Sequence, residues 1–263
     1  MANPAGSFIW YELMADNADG AAAFYGAVVG WRFGGSDPQS PVDYRMILRD
    51  DGSAAGGMLP LSAEMRAQGA HPAWVPYIFV PDVDAAKAAI LADGGRALGP
   101  RMDIAPGSFA MVTDPFGTPF YLMTPIPPAS QPDATSSAFA PDRMQAVCWN
   151  ELASPDPAGA KAFYAKHFGH AFNHAMPMGP QGDYAFLEHH GQTLGAIMPM
   201  LDPARPPLWV PYFSVPAAGA AKDAIAAGGG TVLSGPHQVP GGSWVVLARD
   251  PQGALFGVSA REQ

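Results

Sequence analysis

The chain has 263 residues, of which 48% are hydrophobic and 14% charged, a composition typical of a folded globular protein and not of a disordered one. Its net charge of −9 argues against nucleic acids and anionic membranes as partners, because both are bound through clustered Lys and Arg. Cys148 is the single cysteine, which excludes an intrachain disulfide and any metal site built from several cysteines.

The first residues, Met1 to Ser7, have neither the basic start nor the apolar run of a signal peptide. No apolar stretch in the sequence is long enough for a transmembrane helix. We therefore expect a cytoplasmic protein without a membrane partner. The oligomeric state stays open between a monomer and a homodimer.

The first predicted element is a strand over residues 8–13, where aromatic and apolar residues surround one carboxylate. A helix from about Asp19 to Val29 follows, because apolar residues recur there at the spacing of an amphipathic helix. Gly30 suits its C-terminal cap. Three short strands are expected next, near residues 31–34, 44–49 and 56–61.

The same order of elements starts again at residue 74. Residues 74–80 predict a strand, and Asp82 is the expected N-cap of a helix over residues 83–92 that ends at Gly94-Gly95. Strands are expected near residues 96–98, 108–113 and 119–123. Each of the two stretches is thus a βαβββ module, a strand and a helix followed by three strands.

Most of these features occur a second time, in the same order and at a nearly constant spacing from the first copies, which identifies a tandem duplication. The first copies are Trp10-Tyr11-Glu12-Leu13, Phe24-Tyr25, Trp74-Val75-Pro76-Tyr77, Gly99-Pro100 and Asp114-Pro115-x-Gly117. The second copies are Trp149-Asn150-Glu151-Leu152, Phe163-Tyr164, Trp209-Val210-Pro211-Tyr212, Gly235-Pro236 and Asp250-Pro251-x-Gly253.

The repeat divides the chain into two halves of two modules each. We predict one domain over residues 1–124 and a second over residues 144–263. Residues 125–143 are rich in Pro, Ser and Ala and predict a linker that is semi-rigid where the prolines cluster. The predicted fold class is α+β, with four βαβββ modules paired into two domains, each a cupped sheet with helices on one face.

This ordered set of motifs resembles the vicinal oxygen chelate superfamily, which includes glyoxalase I, extradiol dioxygenases, and the fosfomycin- and bleomycin-resistance proteins. The resemblance covers nearly the whole chain and implies two glyoxalase-like domains. The Trp-x-Glu-Leu opening strands are similar to those of its duplicated, antigen-type branch. The motifs that carry the resemblance are Asp19 to Phe24-Tyr25 with Gly30-Trp31, Gly94-Gly95 to Gly99-Pro100, and Asp114-Pro115-Phe116-Gly117 with Tyr121, together with their second copies.

The enzymes of this superfamily hold a divalent metal between paired modules with His, Gln or Glu ligands. None of the residues that the resemblance places at those positions can bind a hard divalent cation as an imidazole or a carboxylate would. We therefore expect no metal and no other cofactor, which argues against a metal-dependent dioxygenase. The positions are Trp10, Val75 and Tyr121 in the first half and Trp149, Val210 and Gly257 in the second.

The strongest candidates for chemistry are Glu12 and Glu151 on the opening strands. Residues two apart on a strand share a face, so Glu12 lies on the face of Trp10 and Glu151 on the face of Trp149. A carboxylate beside indoles could act as a general base or as a hydrogen-bond anchor. The alternative is a structural Glu held by an Arg or by the backbone. In either case we expect a Tyr hydroxyl, an Arg or water within reach of each.

Aromatic residues are the predicted ligand-binding side chains beside these carboxylates. Besides Trp10 and Trp149, Tyr77 and Tyr212 could offer a phenol group and ring surface, and Tyr121 follows the Asp-Pro-x-Gly turn. The alternative is that the tyrosines are core residues with satisfied hydroxyl groups.

Six of the seven histidines lie in the second half, and two of them, His170 and His174, have the four-residue spacing of a zinc-binding helix. They follow the predicted helix end at Phe168-Gly169, however, and no Glu accompanies them. We therefore expect these histidines on the solvated surface. The six are His167, His170, His174, His189, His190 and His237.

Three functions remain open from the sequence. The first is a protein that binds a small hydrophobic or aromatic molecule in a metal-free concave cavity, as bleomycin-resistance proteins do. The second is a glyoxalase-like lyase or isomerase that uses Glu12 or Glu151 as a general base. The third is a non-catalytic structural or interaction protein that retains the relic of a cavity. The first is the function that we predict, with catalytic activity left open.

Overall fold

A computed structural model describes residues 3–35, 42–127 and 129–263 of the chain. Pro128 of the predicted linker lies outside the described residues. The strands of the described part form two sheets, one of nine and one of eight strands, and helices connect some of these strands. The predicted α+β class is therefore confirmed. No helix in these residue ranges is long and apolar enough to cross a membrane.

The first half contains modules 1 and 2. Module 1 consists of β1 (Phe8–Ala15), α1 (Ala18–Val29), β2 (Arg32–Phe33), β3 (Arg45–Leu48) and β4 (Ala54–Pro60). A short helix, α2 (Ala63–Ala67), connects it to module 2. Module 2 consists of β5 (Ala73–Phe79), α3 (Val83–Ala92), β6 (Arg96–Ala97), β7 (Met102–Ile104), β8 (Gly107–Thr113) and β9 (Pro119–Pro125).

The second half contains modules 3 and 4. Module 3 consists of β10 (Val147–Ser154), α4 (Pro157–Phe168), β11 (Ala175–Pro177), β12 (Asp183–His189) and β13 (Gln192–Pro199). Module 4 consists of β14 (Trp209–Ser214), α5 (Ala218–Ala227), β15 (Thr231–Gln238), β16 (Trp244–Arg249) and β17 (Leu255–Ala260).

The opening strand of every module pairs in parallel with its last strand, and the module's helix lies in the connection between them. In the first sheet the strand order is β2-β3-β4-β1 for module 1 and β5-β9-β8-β6 for module 2, with β7 also paired to β8. In the second sheet the order is β11-β12-β13-β10 for module 3 and β14-β17-β16-β15 for module 4. The two halves therefore have the same topology, as the repeat predicts.

The predicted helices match the observed ones closely because capping residues mark their ends. The Asp82 side chain accepts hydrogen bonds from the first turn of α3, as predicted, and Asn17 caps α1 just before the expected start. Gly30 ends α1 with a left-handed backbone at φ 84°. The short helix α2 and the strand β7 were not predicted, since neither has a hydrophobic repeat long enough to reveal it.

The chain folds as two compact units that each draw on both halves of the sequence. We call the first the central unit; it contains Val75–Ser136 and Asn150–Trp209 together with the N-terminal segment that ends at Ile9. The second, the terminal unit, contains Trp10–Trp74, Ser137–Trp149 and Val210–Gln263. In the central unit α3 packs against α4, and in the terminal unit α1 packs against α5.

A buried hydrogen-bonded triplet of Trp, Tyr and Asp lies in the terminal unit. The Tyr25 hydroxyl donates to the Asp250 carboxylate (3.1 Å) and accepts from Trp74 Nε1 (2.8 Å). Burial, reinforced by the charge of Asp250, holds the pKa of Tyr25 well above its usual value, so the hydroxyl stays protonated. Tyr25 belongs to module 1 and Asp250 to module 4, so this triplet joins the two halves of the sequence.

The central unit contains the equivalent triplet. The Tyr164 hydroxyl donates to Asp114 (3.3 Å) and accepts from Trp209 Nε1 (2.9 Å). Here module 3 supplies the tyrosine and module 2 the carboxylate. The Phe-Tyr, Trp-Val-Pro-Tyr and Asp-Pro-x-Gly motifs that reveal the duplication therefore meet in one interaction, which gives a structural reason for their occurrence in both halves.

The Asp-Pro-x-Gly turns place these carboxylates. In each turn one carboxylate oxygen accepts two backbone N–H groups, from Phe116 and Thr118 in the first half and from Gln252 and Ala254 in the second. The glycine of each turn has a positive φ, which a side chain would strain. One oxygen thus orders the turn while the other accepts from the tyrosine.

The expectation that the second-half histidines lie on the solvated surface is wrong for three of them. His170 and His189 are only 3% and 6% exposed, because their Nε2 atoms donate to the backbone carbonyls of Gly6 and Ala5 at 2.8 Å. His167 is also shielded and bonds the Asp93 carboxylate at 2.8 Å. The N-terminal segment covers His170 and His189, a long-range contact that local sequence does not reveal. The exposed members are His174, His190 and His237.

We expect Tyr25→Phe and Tyr164→Phe each to lower the free energy of unfolding by ~1–3 kcal/mol, because each leaves a buried carboxylate and a buried indole N–H without the tyrosine oxygen. Urea unfolding measures the loss. Tyr184→Phe, at a half-buried tyrosine outside the triplets, is the matched control and should cost less. Losses within about 0.5 kcal/mol for both triplet variants would contradict a stabilising role.

We expect acid to destabilise the fold through His170. Burial lowers the pKa of His170 from 6.5 to about 4, so the folded protein keeps it neutral while the unfolded chain takes up a proton. Its contribution is complete above pH 6.5 and is lost as the pH falls toward 4, by up to ~3 kcal/mol. Urea unfolding at several pH values should show this loss, and His170→Phe should reduce it. An unchanged pH dependence in that variant would contradict the assignment; His71→Gln, at an exposed histidine, is the control.

Candidate functional site

Glu12 lies on β1 in the terminal unit, on the strand face that also carries Trp10, as the alternation of side chains predicts. It pairs across the sheet with Gly57 of β4, and Gly57 pairs in turn with Met46 of β3. The opposite face of β1, with Ile9, Tyr11 and Leu13, is buried. Glu12 itself is only 3% exposed, so its carboxylate requires a polar partner.

That partner is Tyr44, which lies just before β3. The Tyr44 hydroxyl bonds the Glu12 carboxylate and accepts a hydrogen bond from Trp10 Nε1 at 2.9 Å. Burial, and after it the negative charge of Glu12, raises the pKa of Tyr44 well above its usual value. The phenol therefore remains a hydrogen-bond donor to Glu12, and the three side chains form one connected set.

The second half repeats the arrangement in the central unit. The Tyr184 hydroxyl donates to Glu151 Oε2 at 2.7 Å, across β12, β13 and β10. Glu151 and Tyr184 are both half-buried, and the Tyr184 ring meets that of Phe186 edge to face with their centroids 5.8 Å apart. We refer to Tyr44 with Glu12, and to Tyr184 with Glu151, as the two Tyr–Glu pairs.

The expectation of a donor within reach of each carboxylate is confirmed, and the donor is a tyrosine in both halves. Neither Tyr44 nor Tyr184 was predicted as a site residue. A signal was present, because the dipeptide Asp43-Tyr44 recurs as Asp183-Tyr184 at the corresponding place in the second half. The dipeptide lies where a loop enters a strand and has no hydrophobic repeat around it, so the pattern alone does not distinguish it.

Tyr77 and Tyr121 are brought together in the central unit. They are register partners on β5 and β9, and their rings stack with centroids 4.1 Å apart, beside Phe109. Both are buried. Their role in ligand binding stays a prediction, since buried aromatic rings are equally typical of a hydrophobic core.

Tyr212 has a different neighbour in the terminal unit. It pairs with Gly257 of β17, where a Cβ atom would come within 2.2 Å of the tyrosine ring. The glycine thus allows the ring to lie flat on the strand. Trp149 is half-buried on β10. Its predicted role in ligand binding stays a prediction, as does that of Tyr212.

Comparison with known proteins shows which family this chain resembles. Residues 146–258 match the model of the glyoxalase/bleomycin resistance protein/dioxygenase superfamily. The second half of the chain thus matches a domain of this superfamily. The resemblance inferred from the repeated motifs is therefore confirmed.

Relatives and solved structures agree with this assignment. The chain is 28% identical over 95% of its length to a Mycobacterium bovis protein named "Putative glyoxylase CFP32", of which it covers 92%. It is similar to the structure of a Mn(II)-bound glyoxalase from Novosphingobium aromaticivorans (TM-score 0.63, 15% identity, 99% of this chain and 83% of that one). It is also similar to the 2,3-dioxygenase LapB from Pseudomonas sp. KL28 (TM-score 0.62, 15% identity, 98% and 94%). At this identity the structures show the shared fold alone.

The residues of this chain do not fit the divalent metal that the superfamily implies. In the described ranges no three or more His, Cys, Asp or Glu side chains are placed to hold a metal ion. Glu12 and Glu151, the carboxylates nearest the expected ligand positions, each accept a tyrosine hydroxyl and lie on different sheets. No step of the proposed function is therefore assigned to a metal.

We expect the purified protein to hold no stoichiometric divalent metal, because the side chains at the expected ligand positions are aromatic, aliphatic or absent. Elemental analysis after dialysis against metal-free buffer measures the content. About one Zn, Ni, Fe or Mn tightly held per chain would contradict this expectation. Unfolding with and without a chelator is the parallel check, and the chelator should leave stability unchanged.

Proposed function

We propose that this protein binds a small molecule with an aromatic or apolar body and an N–H or O–H donor. The observation that carries the proposal is the Tyr–Glu pair, which occurs in both halves at equivalent strand positions. A carboxylate that a phenol already orients can accept a further hydrogen bond, and charge-assisted hydrogen bonds are the strong ones.

Aromatic side chains beside each carboxylate support an aromatic ligand. Trp10 is half-buried next to the first pair, and the half-buried Phe186 lies next to the second. Ligand sites usually combine such apolar surface with a few placed polar groups that fix orientation. The net charge of −9 disfavours an anionic ligand.

A second candidate is a glyoxalase-like lyase or isomerase in which Glu12 or Glu151 acts as a general base. The name of the 28% identical relative favours it, and so does the hydrogen bond from a tyrosine hydroxyl to each carboxylate. In such a reaction the carboxylate would take a proton from the hydroxyl-bearing carbon next to a carbonyl group and return it to the former carbonyl carbon, while the hydroxyl proton moves to the former carbonyl oxygen. The phenol would orient the carboxylate throughout.

Titration with 2-naphthol, a neutral fluorescent aromatic with one O–H donor, tests the binding proposal. We expect binding by the wild type and a loss of about tenfold or more in Glu12→Gln/Glu151→Gln, since a hydrogen bond to a charged group is weakened. Glu188→Gln, at a carboxylate bonded to His174, is the matched control. The methyl ether of 2-naphthol lacks the donor, so its affinity should be weaker and equal in all variants.

Native mass spectrometry of the freshly purified protein complements the titration, because a retained ligand would appear as an added mass. Absence of naphthol binding together with absence of any added mass would overturn the binding proposal. The isomerase candidate has its own assay, the conversion of a 2-oxoaldehyde–thiol adduct to a thioester. Turnover that the double variant abolishes would favour that candidate.

A further inference from the structure

The two Tyr–Glu pairs differ at the strand position between their members. In the first half, Met46, Gly57 and Glu12 lie side by side on β3, β4 and β1. In the second half, Phe186, Ala196 and Glu151 hold the equivalent places on β12, β13 and β10. Side chains directly opposite each other on neighbouring strands share a face, so the residue in the middle lies beneath the path from tyrosine to carboxylate.

Glycine in the middle position lets Tyr44 lie against the sheet. A Cβ atom on Gly57 would come within 1.9 Å of the Tyr44 hydroxyl oxygen and 2.3 Å of the ring carbon that bears it. The phenol thus occupies the space that a side chain would fill. Trp10 Nε1 holds the hydroxyl there, and Glu12 beneath it is almost completely buried.

Alanine in the middle position prevents the same seating in the second half. The Ala196 methyl group is directed to the face that Tyr184 must cross to reach Glu151. The Tyr184 ring therefore cannot take the position over Ala196 that Tyr44 takes over Gly57, although its hydroxyl still reaches the Glu151 carboxylate. Glu151 remains half-buried, with the half-buried ring of Phe186 as the neighbour of Tyr184.

We propose that Glu151 is the carboxylate that meets the ligand, that Glu12 is sealed as a structural anchor, and that Gly57 and Ala196 determine this difference. The inference rests on the proposed function and assigns ligand binding to the second half of the sequence. The ligand that fits is an aromatic molecule whose ring lies beside Tyr184 and Phe186 and whose N–H or O–H group donates to Glu151.

Chemical labelling tests the accessibility directly and needs no knowledge of the ligand. A water-soluble carbodiimide with glycine ethyl ester converts accessible carboxyl groups to amides, and peptide mass spectrometry gives the rate at each site. We expect Glu151 to react at least about tenfold faster than Glu12, because a sealed group reacts only through local opening. Exposed Glu64 on α2 is the internal reference.

Reciprocal substitutions then test the cause. Gly57→Ala should displace Tyr44 and raise the labelling rate of Glu12 severalfold. Ala196→Gly should allow Tyr184 to pack against the sheet and should lower the labelling rate of Glu151. Ala196→Gly keeps the test decisive if the first variant fails to fold, which circular dichroism would reveal. Equal labelling of the two carboxylates in the wild type, or rates that neither folded variant changes, would overturn the inference.

Binding separates this inference from the proposed function. Glu151→Gln alone should reproduce the loss of 2-naphthol affinity seen in the double variant, and the matched control Glu188→Gln should retain wild-type affinity. A loss of affinity in Glu12→Gln but not in Glu151→Gln would overturn the assignment of the ligand to Glu151 while leaving the binding proposal intact. Absence of 2-naphthol binding and of a co-purified ligand in the wild type would instead count against the proposed function, whatever the labelling rates.

Discussion

The hydrogen bond from a buried tyrosine to the aspartate of an Asp-Pro-x-Gly turn is the interaction on which this fold depends. It occurs once in each compact unit, and a tryptophan N–H completes it both times. The aspartate comes from the other half of the sequence in each case. Neither half can satisfy these buried polar groups from its own residues in this arrangement, and buried polar groups without partners are costly. The duplication thus produced two interdependent halves.

The two Tyr–Glu pairs show how a duplicated arrangement can diverge through one small residue. A methyl group separates Gly57 from Ala196, yet it changes how closely a tyrosine can approach the sheet. The equivalent position of the closing strand differs in the same way, with Tyr121 in the first half and Gly257 in the second. Tyr121 stacks on Tyr77, whereas the Tyr212 ring packs against the backbone at Gly257. The backbone topology is preserved, and the side chains on the sheet face have become different surfaces.

Much of the architecture could be predicted because its signals are local. Helix spacing and capping residues located α1 and α3, and strand alternation placed Glu12 on the face of Trp10. The pairing of modules could not be predicted, because two turns with the same Asp-Pro-x-Gly pattern could each accept the Tyr25 hydroxyl and the sequence does not show which one does. Tyr44 and the buried His170 were missed for a related reason: the contacts that define them come from residues distant in sequence.

The composition of the compact units has a consequence for the order in which the protein can form during synthesis. The Tyr164–Asp114 bond spans 50 residues, whereas the Tyr25–Asp250 bond spans 225. A ribosome that has released residues up to Trp209 has already supplied every segment of the central unit. The terminal unit cannot be completed until the last strands of the chain have been synthesised, although its first module is made at the start. The packing of α5 against α1 therefore forms only at the end of translation, so module 1 lacks this partner while most of the chain is being made.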